Sequence, residues 1–174
     1  MSAASFNSTF VGVDSSEEML NRARKKFLSN PSVTLQYSDL NMGLQFPDES
    51  FDCIVSVNML YALHRPREII TEFYRVLKPH GKLVFANPYD TSTFSGIIKG
   101  QFHELGIIKF LLKFIVNLPA LLVIIFVNVF FLRNNNNYWS REETARILKE
   151  GGFKDVNIKL TYADQALLVS TNKT

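Results

Sequence analysis

Hydrophobic and polar positions along the chain switch between two periods. Ser8 to Val13 read as a short apolar strand. Beyond Asp14 the period lengthens, and Met19, Leu20, Ala23 and Phe27 recur at helical spacing until Pro31 marks a stop. Ser15 and Glu18 have capping-box spacing, which predicts the start of that helix. A second strand is predicted at Val33 to Tyr37, followed by the polar turn region "SDLNMGLQFPDESFD". Cys53 to Leu60, "CIVSVNML", is an almost continuous apolar run and predicts a strand buried on both faces, as parallel sheets require.

Pro66 opens a further helix with Ile69, Ile70, Phe73, Val76 and Leu77 on its apolar face, and "KPHGK" is expected to close it at Gly81. "LVFANP" is the next strand. Ser140 and Glu143 repeat the capping-box pattern before a helix over Arg141 to Glu150, which ends in Gly151 and Gly152. Strands are predicted near Lys154 to Leu160 and Gln165 to Ser170. Their short connection implies a hairpin, so one of them should run antiparallel to the rest. Strands alternating with helices predict a single, doubly wound α/β domain over residues 1–174.

Residues 91–137 break this rhythm. From Phe114 to Leu132, 19 residues carry no charge, close to the ~20 that span a bilayer. Pro119, Asn117 and Asn128 interrupt the run, so two helices are expected, near Glu104 to Val116 and Pro119 to Leu132. A helix of the second length reaches only ~21 Å, short of the ~30 Å hydrocarbon core. The pattern therefore predicts a helical insertion that covers a site or lies at a membrane surface. Lys109 and Lys113 fall on one face of the first helix and suit either role.

Composition changes this picture little. The chain has 174 residues, 47% hydrophobic and 20% charged, with a net charge of +3. These values describe a globular protein and give no argument for nucleic acid. Arg22, Arg24, Lys25 and Lys26 sit at a helix end, where cations favour the dipole. Cys53 is the one cysteine, which excludes a disulfide framework and a cysteine-based zinc site and fits a reducing cytoplasm. Within its apolar strand it reads as a core residue. His64, His80 and His103 lack ligand spacing, so no metal is expected. The first ten residues have neither the basic region nor the apolar run of a signal peptide.

Asp14 ends a strand and precedes a helix. A carboxylate there can accept hydrogen bonds from a ribose diol, or simply favour a helix N-terminus. The stretches "GVDSSEEMLNRARKKF", "YSDLNMGLQFPDESFDCIVSVNMLYALHRP", "EIITEFYRVLKPHGKLVFANP" and "REETARILKEGGFKDV" bear on that choice. In this order they resemble the class I S-adenosylmethionine-dependent methyltransferases, most closely the small-molecule branch that includes quinone-biosynthesis enzymes. The resemblance covers roughly residues 9–90 and 138–172. It implies a Rossmann-like, mostly parallel sheet with an antiparallel C-terminal strand.

The resemblance also implies roles. Asp14 would bind the ribose hydroxyls of S-adenosylmethionine, with Ser15 and Met19 against the ribose and adenine. Asp39 would accept from the adenine amino group, and Leu40 would donate its backbone N–H or pack on the ring. Asn58 and Met59 would face the methionine part. Tyr61 and His64 could face the acceptor, a small, hydrophobic, lipid- or quinone-like molecule, although His64 is equally read as a surface residue beside a helix start. The enzyme would lie in the cytoplasm or at the periphery of a membrane.

One part of the family pattern is not in these residues. A glycine-rich loop is expected about 20 residues before the ribose-binding acid, and only Met1 to Phe6, without glycine, precede the first strand. The family's first strand, turn and helix are thus missing, and that strand lies between those ending at Asp14 and near Asn58. Direct pairing of Phe10 to Val13 with Ile54 to Val57 is the expected substitute. The alternative function is a truncated, non-catalytic methyltransferase-like protein acting as a binding, scaffold or membrane-associated module.

Overall fold

The computed structural model describes residues 8–89, 138–162 and 166–174. They fall into two compact units, Met1–Gln45 and Phe46–Thr174. In the first, β1 (Phe10–Asp14) and β2 (Val33–Tyr37) are joined by α1 (Glu17–Phe27). The strands are parallel, with Phe10 opposite Val33 and Asp14 opposite Tyr37. Parallel neighbours cannot be closed by a tight turn, so a crossover helix is the natural connection. A Cβ at Gly12 would stand 2.7 Å from Leu35 Cδ2, a contact that a shift of the leucine side chain relieves.

The cap of α1 differs from expectation. Ser16, not Ser15, is the N-cap, and its Oγ accepts from the Met19 N–H at 3.3 Å. The Asp14 carboxylate displaces the cap by one residue, because its Oδ1 accepts the Ser16 N–H at 2.8 Å. Glu17 and Glu18 in the first turn and Arg24, Lys25 and Lys26 in the last complement the helix dipole.

The second unit contains β3 (Phe51–Val57), α2 (Pro66–Val76), β4 (Leu77–Pro88), α3 (Arg141–Glu150), β5 (Lys154–Thr161) and β6 (Ala166–Asn172). Its sheet runs in the order β3-β4-β6-β5. β3 is parallel to β4, whereas β6 is antiparallel to both β4 and β5. The expected C-terminal hairpin is therefore present, and β6 is its antiparallel member. Leu83 and Phe85 of β4, Leu167 and Val169 of β6, Ile70 and Phe73 of α2, and Ile147 and Leu148 of α3 are buried in one core. Ser140 caps α3 as its spacing predicts, accepting from the Glu143 N–H at 3.1 Å.

Four expectations are corrected. α2 stops at Val76 and β4 begins at Leu77, ahead of Gly81. The chain end holds this extension: Lys173 Nζ donates to the Leu77 carbonyl at 2.7 Å, and backbone bonds join His80 to Lys173 and Lys173 to Gly81 at 2.9 Å each. Next, β3 is not buried on both faces. Burial is confined to the face carrying Ser56, Leu83 and Phe85, while Val55 and Val57 are 69% and 61% exposed. Cys53, on that same outer face, is exposed rather than core. Finally, β1 does not pair with β3; among the described residues β1 pairs with β2 and β3 with β4. Apolar side chains favour burial but do not choose a strand's neighbour. The crossovers α1 and α2 do, each tying successive strands into its own parallel pair.

The hydrophobic insertion at 91–137, with the helices expected near Glu104 to Val116 and Pro119 to Leu132, lies outside the described residues. Among the described residues no helix is long and apolar enough to cross a membrane.

Two polar contacts should differ in weight. Lys173 is nearly buried (11% exposed side chain), donates to a backbone carbonyl and lies 4.9 Å over the Tyr74 ring. Lys173→Ala should lower unfolding stability by about 1.5–3 kcal/mol in urea titration. Arg67 pairs with Glu143 at 2.8 Å in the open, and Arg67→Ala should cost under about 1 kcal/mol. Equal losses would contradict this ranking.

Candidate functional site

Parallel pairing sets where the candidate residues gather. Within the first unit, β1 and β2 end side by side, and the Ser38 N–H donates to the Asp14 carbonyl at 3.1 Å. The carboxyl edge of this pair therefore collects Asp14, Ser15 and the first turn of α1 from one strand, and Ser38, Asp39 and Leu40 from the other. Asp14 is half-buried, and its Oδ1 holds the turn into α1. Its second oxygen retains acceptor capacity, as a carboxylate has two. Met19 lies on the first turn of α1 and is 51% exposed. Asp39 caps a single 3-10 turn, Leu40–Met42, and its Oδ1 accepts from the Asn41 backbone N–H at 3.0 Å and from Asn41 Nδ2 at 2.9 Å. Both carboxylates thus stand on local turns that fix their direction.

Within the second unit the same logic applies to β3 and β4. Asn58 follows β3 with φ +52°, a left-handed conformation that asparagine tolerates better than most residues. Its N–H donates to the Ala86 carbonyl at 2.8 Å, which pins the end of β3 to β4. Asn58 is exposed and Met59 half-buried at this carboxyl edge. Tyr61 lies on the next 3-10 turn, Leu60–Ala62, and its backbone N–H donates to Asn87 Oδ1 at 3.3 Å. His64 is exposed, two residues beyond that turn and immediately before Arg65 at the N-cap position of α2.

Three residues of consequence carry little sequence signal. Ser16 lies beside the serine favoured by spacing. Asn87 is hidden within the strand "LVFANP", yet it is buried and orders the turn that carries Tyr61. Tyr138 follows the asparagine run, and its ring stacks on Tyr61 with centroids 5.8 Å apart and planes 12° from parallel. Loss of solvent, and secondarily the neighbouring Tyr61, push the Tyr138 phenol above its ordinary value.

Comparison with known proteins bears on what these edges are for. The family profile described as a methyltransferase domain matches residues 1–85. A phosphatidylethanolamine N-methyltransferase of Cereibacter sphaeroides is 35% identical over 82 residues, 45% of this chain and 40% of that protein. A demethylmenaquinone methyltransferase of Symbiobacterium thermophilum is 39% identical over 80 residues, 42% of this chain and 30% of that protein. Over its N-terminal half the chain is similar to methyltransferases. The match spans only 30–40% of the length of these two relatives.

Solved methyltransferases share the fold. One from Aquifex aeolicus has a TM-score of 0.63 at 18% identity, covering 98% of this chain and 71% of that structure. One from Thermotoga maritima, described as a possible histamine N-methyltransferase, has a TM-score of 0.61 at 19% identity, covering 94% and 72%. The mixed α/β, mostly parallel architecture expected of a methyltransferase is thus the one this chain adopts.

The raised Tyr138 value has a measurable consequence. A group with a raised folded-state pKa stabilises the fold fully below its unfolded value, near 10 for tyrosine, and loses that contribution as pH rises through the folded value. Among the six tyrosines, absorbance titration should show a late-ionising component that Tyr138→Phe deletes. A titration unchanged by this substitution would contradict the assignment.

Proposed function

We propose that this chain binds S-adenosylmethionine and serves the transfer of its methyl group to a small, hydrophobic acceptor. The carrying observation is the placement of Asp14 and Asp39 at the carboxyl edge of one parallel pair, each oriented by its own turn. The chemistry of this set fits the cofactor. Asp14 offers a carboxylate oxygen to the ribose hydroxyls, and Asp39 offers one to the adenine amino group. Ser15 and Met19 flank the ribose and adenine, with Leu40 lying on the ring or donating its N–H. Asn58 and Met59 hold the methionine part, and Tyr61 and His64 face the acceptor.

When bound, the cofactor supplies an activated methyl group on a sulfonium. The task left to the protein is to orient the acceptor and exclude water. A base is required only for an acceptor with a high pKa. A hydrophobic acceptor agrees with the two relatives named for a lipid and a quinone precursor. Peripheral membrane contact would bring such an acceptor within reach. Cosedimentation with phospholipid vesicles tests it, and protein left wholly in the supernatant contradicts it.

A second reading, a non-catalytic binding module, draws support from the exposed apolar face of β3 at Val55 and Val57. Titration calorimetry of the 174-residue chain with S-adenosylhomocysteine separates the two. The cofactor reading expects micromolar binding, weakened at least about tenfold by Asp14→Ala, since a hydrogen bond to a charged group is worth roughly 1.5–3 kcal/mol. No heat of binding to the folded chain would favour the module.

A further inference from the structure

The stacked pair Tyr61–Tyr138 has no role in the cofactor assignment, yet its placement is specific. Tyr61 follows β3 by a single turn, and Asn87 sits at the end of the neighbouring parallel strand. The carboxyl ends of parallel strands are where open α/β sheets take their ligands. The buried Asn87 side chain accepts the Tyr61 N–H at 3.3 Å and so fixes the backbone that presents the ring. Tyr138, brought in from a stretch 77 positions away, lies almost flat on it, 12° from parallel and 5.8 Å between centroids. Both rings are only part-buried. A stack ordered from behind by a buried amide, and part-exposed at a ligand-binding edge, is a preformed aromatic surface.

The surrounding chemistry narrows what such a surface would take. Of the side chains at this edge, Asn58, Asn87, Tyr61 and Tyr138 are neutral, and the nearby His64 carries no negative charge. Loss of solvent also favours the neutral phenol of Tyr138. A cationic amine would find ring faces here but no carboxylate among these four side chains. A flat ring would extend the existing offset stack at the separation such pairs prefer.

We propose that the Tyr61–Tyr138 stack is the acceptor-facing wall of this chain, selecting a planar, uncharged aromatic ring, with Asn87 as a positioning residue. This deepens the methyltransferase reading and rests on it for the term acceptor, but the binding surface itself can be tested without cofactor. The chain's one tryptophan, Trp139, adjoins Tyr138 and is buried, so it reports on the wall directly.

The experiment follows Trp139 emission in the full chain during titration with menadione, a planar quinone that quenches indole, and with phosphoethanolamine as the amine comparison. Saturable quenching by menadione alone is expected. Tyr138→Leu and Tyr61→Leu should weaken it at least about tenfold, and Tyr138→Phe, which keeps the ring, should preserve it. Linear, collisional quenching of the wild-type chain overturns the proposal without any variant. So does saturable quenching that Tyr138→Leu leaves unchanged, or equal saturation by phosphoethanolamine. Should Tyr138→Leu fail to fold by circular dichroism, Asn87→Ala provides the second variant. It releases the Tyr61 turn and should weaken menadione several-fold, and an unchanged affinity there overturns the proposal. Binding of S-adenosylhomocysteine with no Tyr138-dependent quenching sinks this inference alone. The reverse result sinks the cofactor reading and leaves the aromatic wall standing.

Discussion

A parallel strand pair cannot be closed by a two-residue turn; it requires a crossover that returns the chain to the starting edge. That requirement organises what is described of this molecule. α1 makes the crossover between β1 and β2, and α2 makes it between β3 and β4. Because paired strands then point the same way, their carboxyl ends share an edge, and the loops leaving that edge come together without further design. Asp14 meets the Ser38–Leu40 segment for this reason, and Asn58 meets Ala86 for the same reason. Where a candidate residue stands is a consequence of strand direction first and of its own side chain second.

Energetically, the second unit depends on its core more than on its charges. Leu77, Leu83, Leu148 and Val169 are fully buried, and truncating such a side chain typically costs about 2–5 kcal/mol. The ion pairs of Arg67 and Arg146 with Glu143 and Glu150 are open to water. Pairs of that kind contribute at most about 1 kcal/mol each. Close packing also explains Gly151, where a Cβ would meet Ile70 Cγ2 at 2.9 Å and so press α3 away from α2. Lys173 is the exception among the charges. Its ammonium meets a backbone carbonyl, an aromatic face and, at 3.7 Å, the Glu49 carboxylate, and the N-terminal extension of β4 is held by the same residue's backbone.

Much of this was legible in the sequence where the signal is local. The helix Arg141–Glu150 is read correctly because a serine cap and a glycine stop agree. The C-terminal hairpin is legible because its connection is too short for a crossover. What failed depends on neighbours distant in sequence. Burial of β3 on both faces needs cover on both faces, which the strand's own composition cannot reveal; Val55 and Val57 are as apolar as buried residues would be. The early start of β4 is held by Lys173, nearly a hundred residues away. Ser15 and Ser16 are chemically equivalent caps until the Asp14 carboxylate takes the Ser16 N–H. Of the proposed site residues, Asp14 and Asp39 stand out in the sequence because turn chemistry and family resemblance coincide on them. Asn87 and Tyr138 were not, since a buried amide and a stacking partner are defined only by what they touch.

The central proposal is that the carboxyl edge of β1 and β2 binds S-adenosylmethionine. Amide-resolved NMR of the isotope-labelled 174-residue chain, titrated with S-adenosylhomocysteine, tests it most directly. The account predicts saturable shifts with one common affinity at Ser15, Ser16, Ser38 and Leu40. No saturable shift at these amides, or shifts confined to the outer face of β3 around Val55 and Val57, would contradict it.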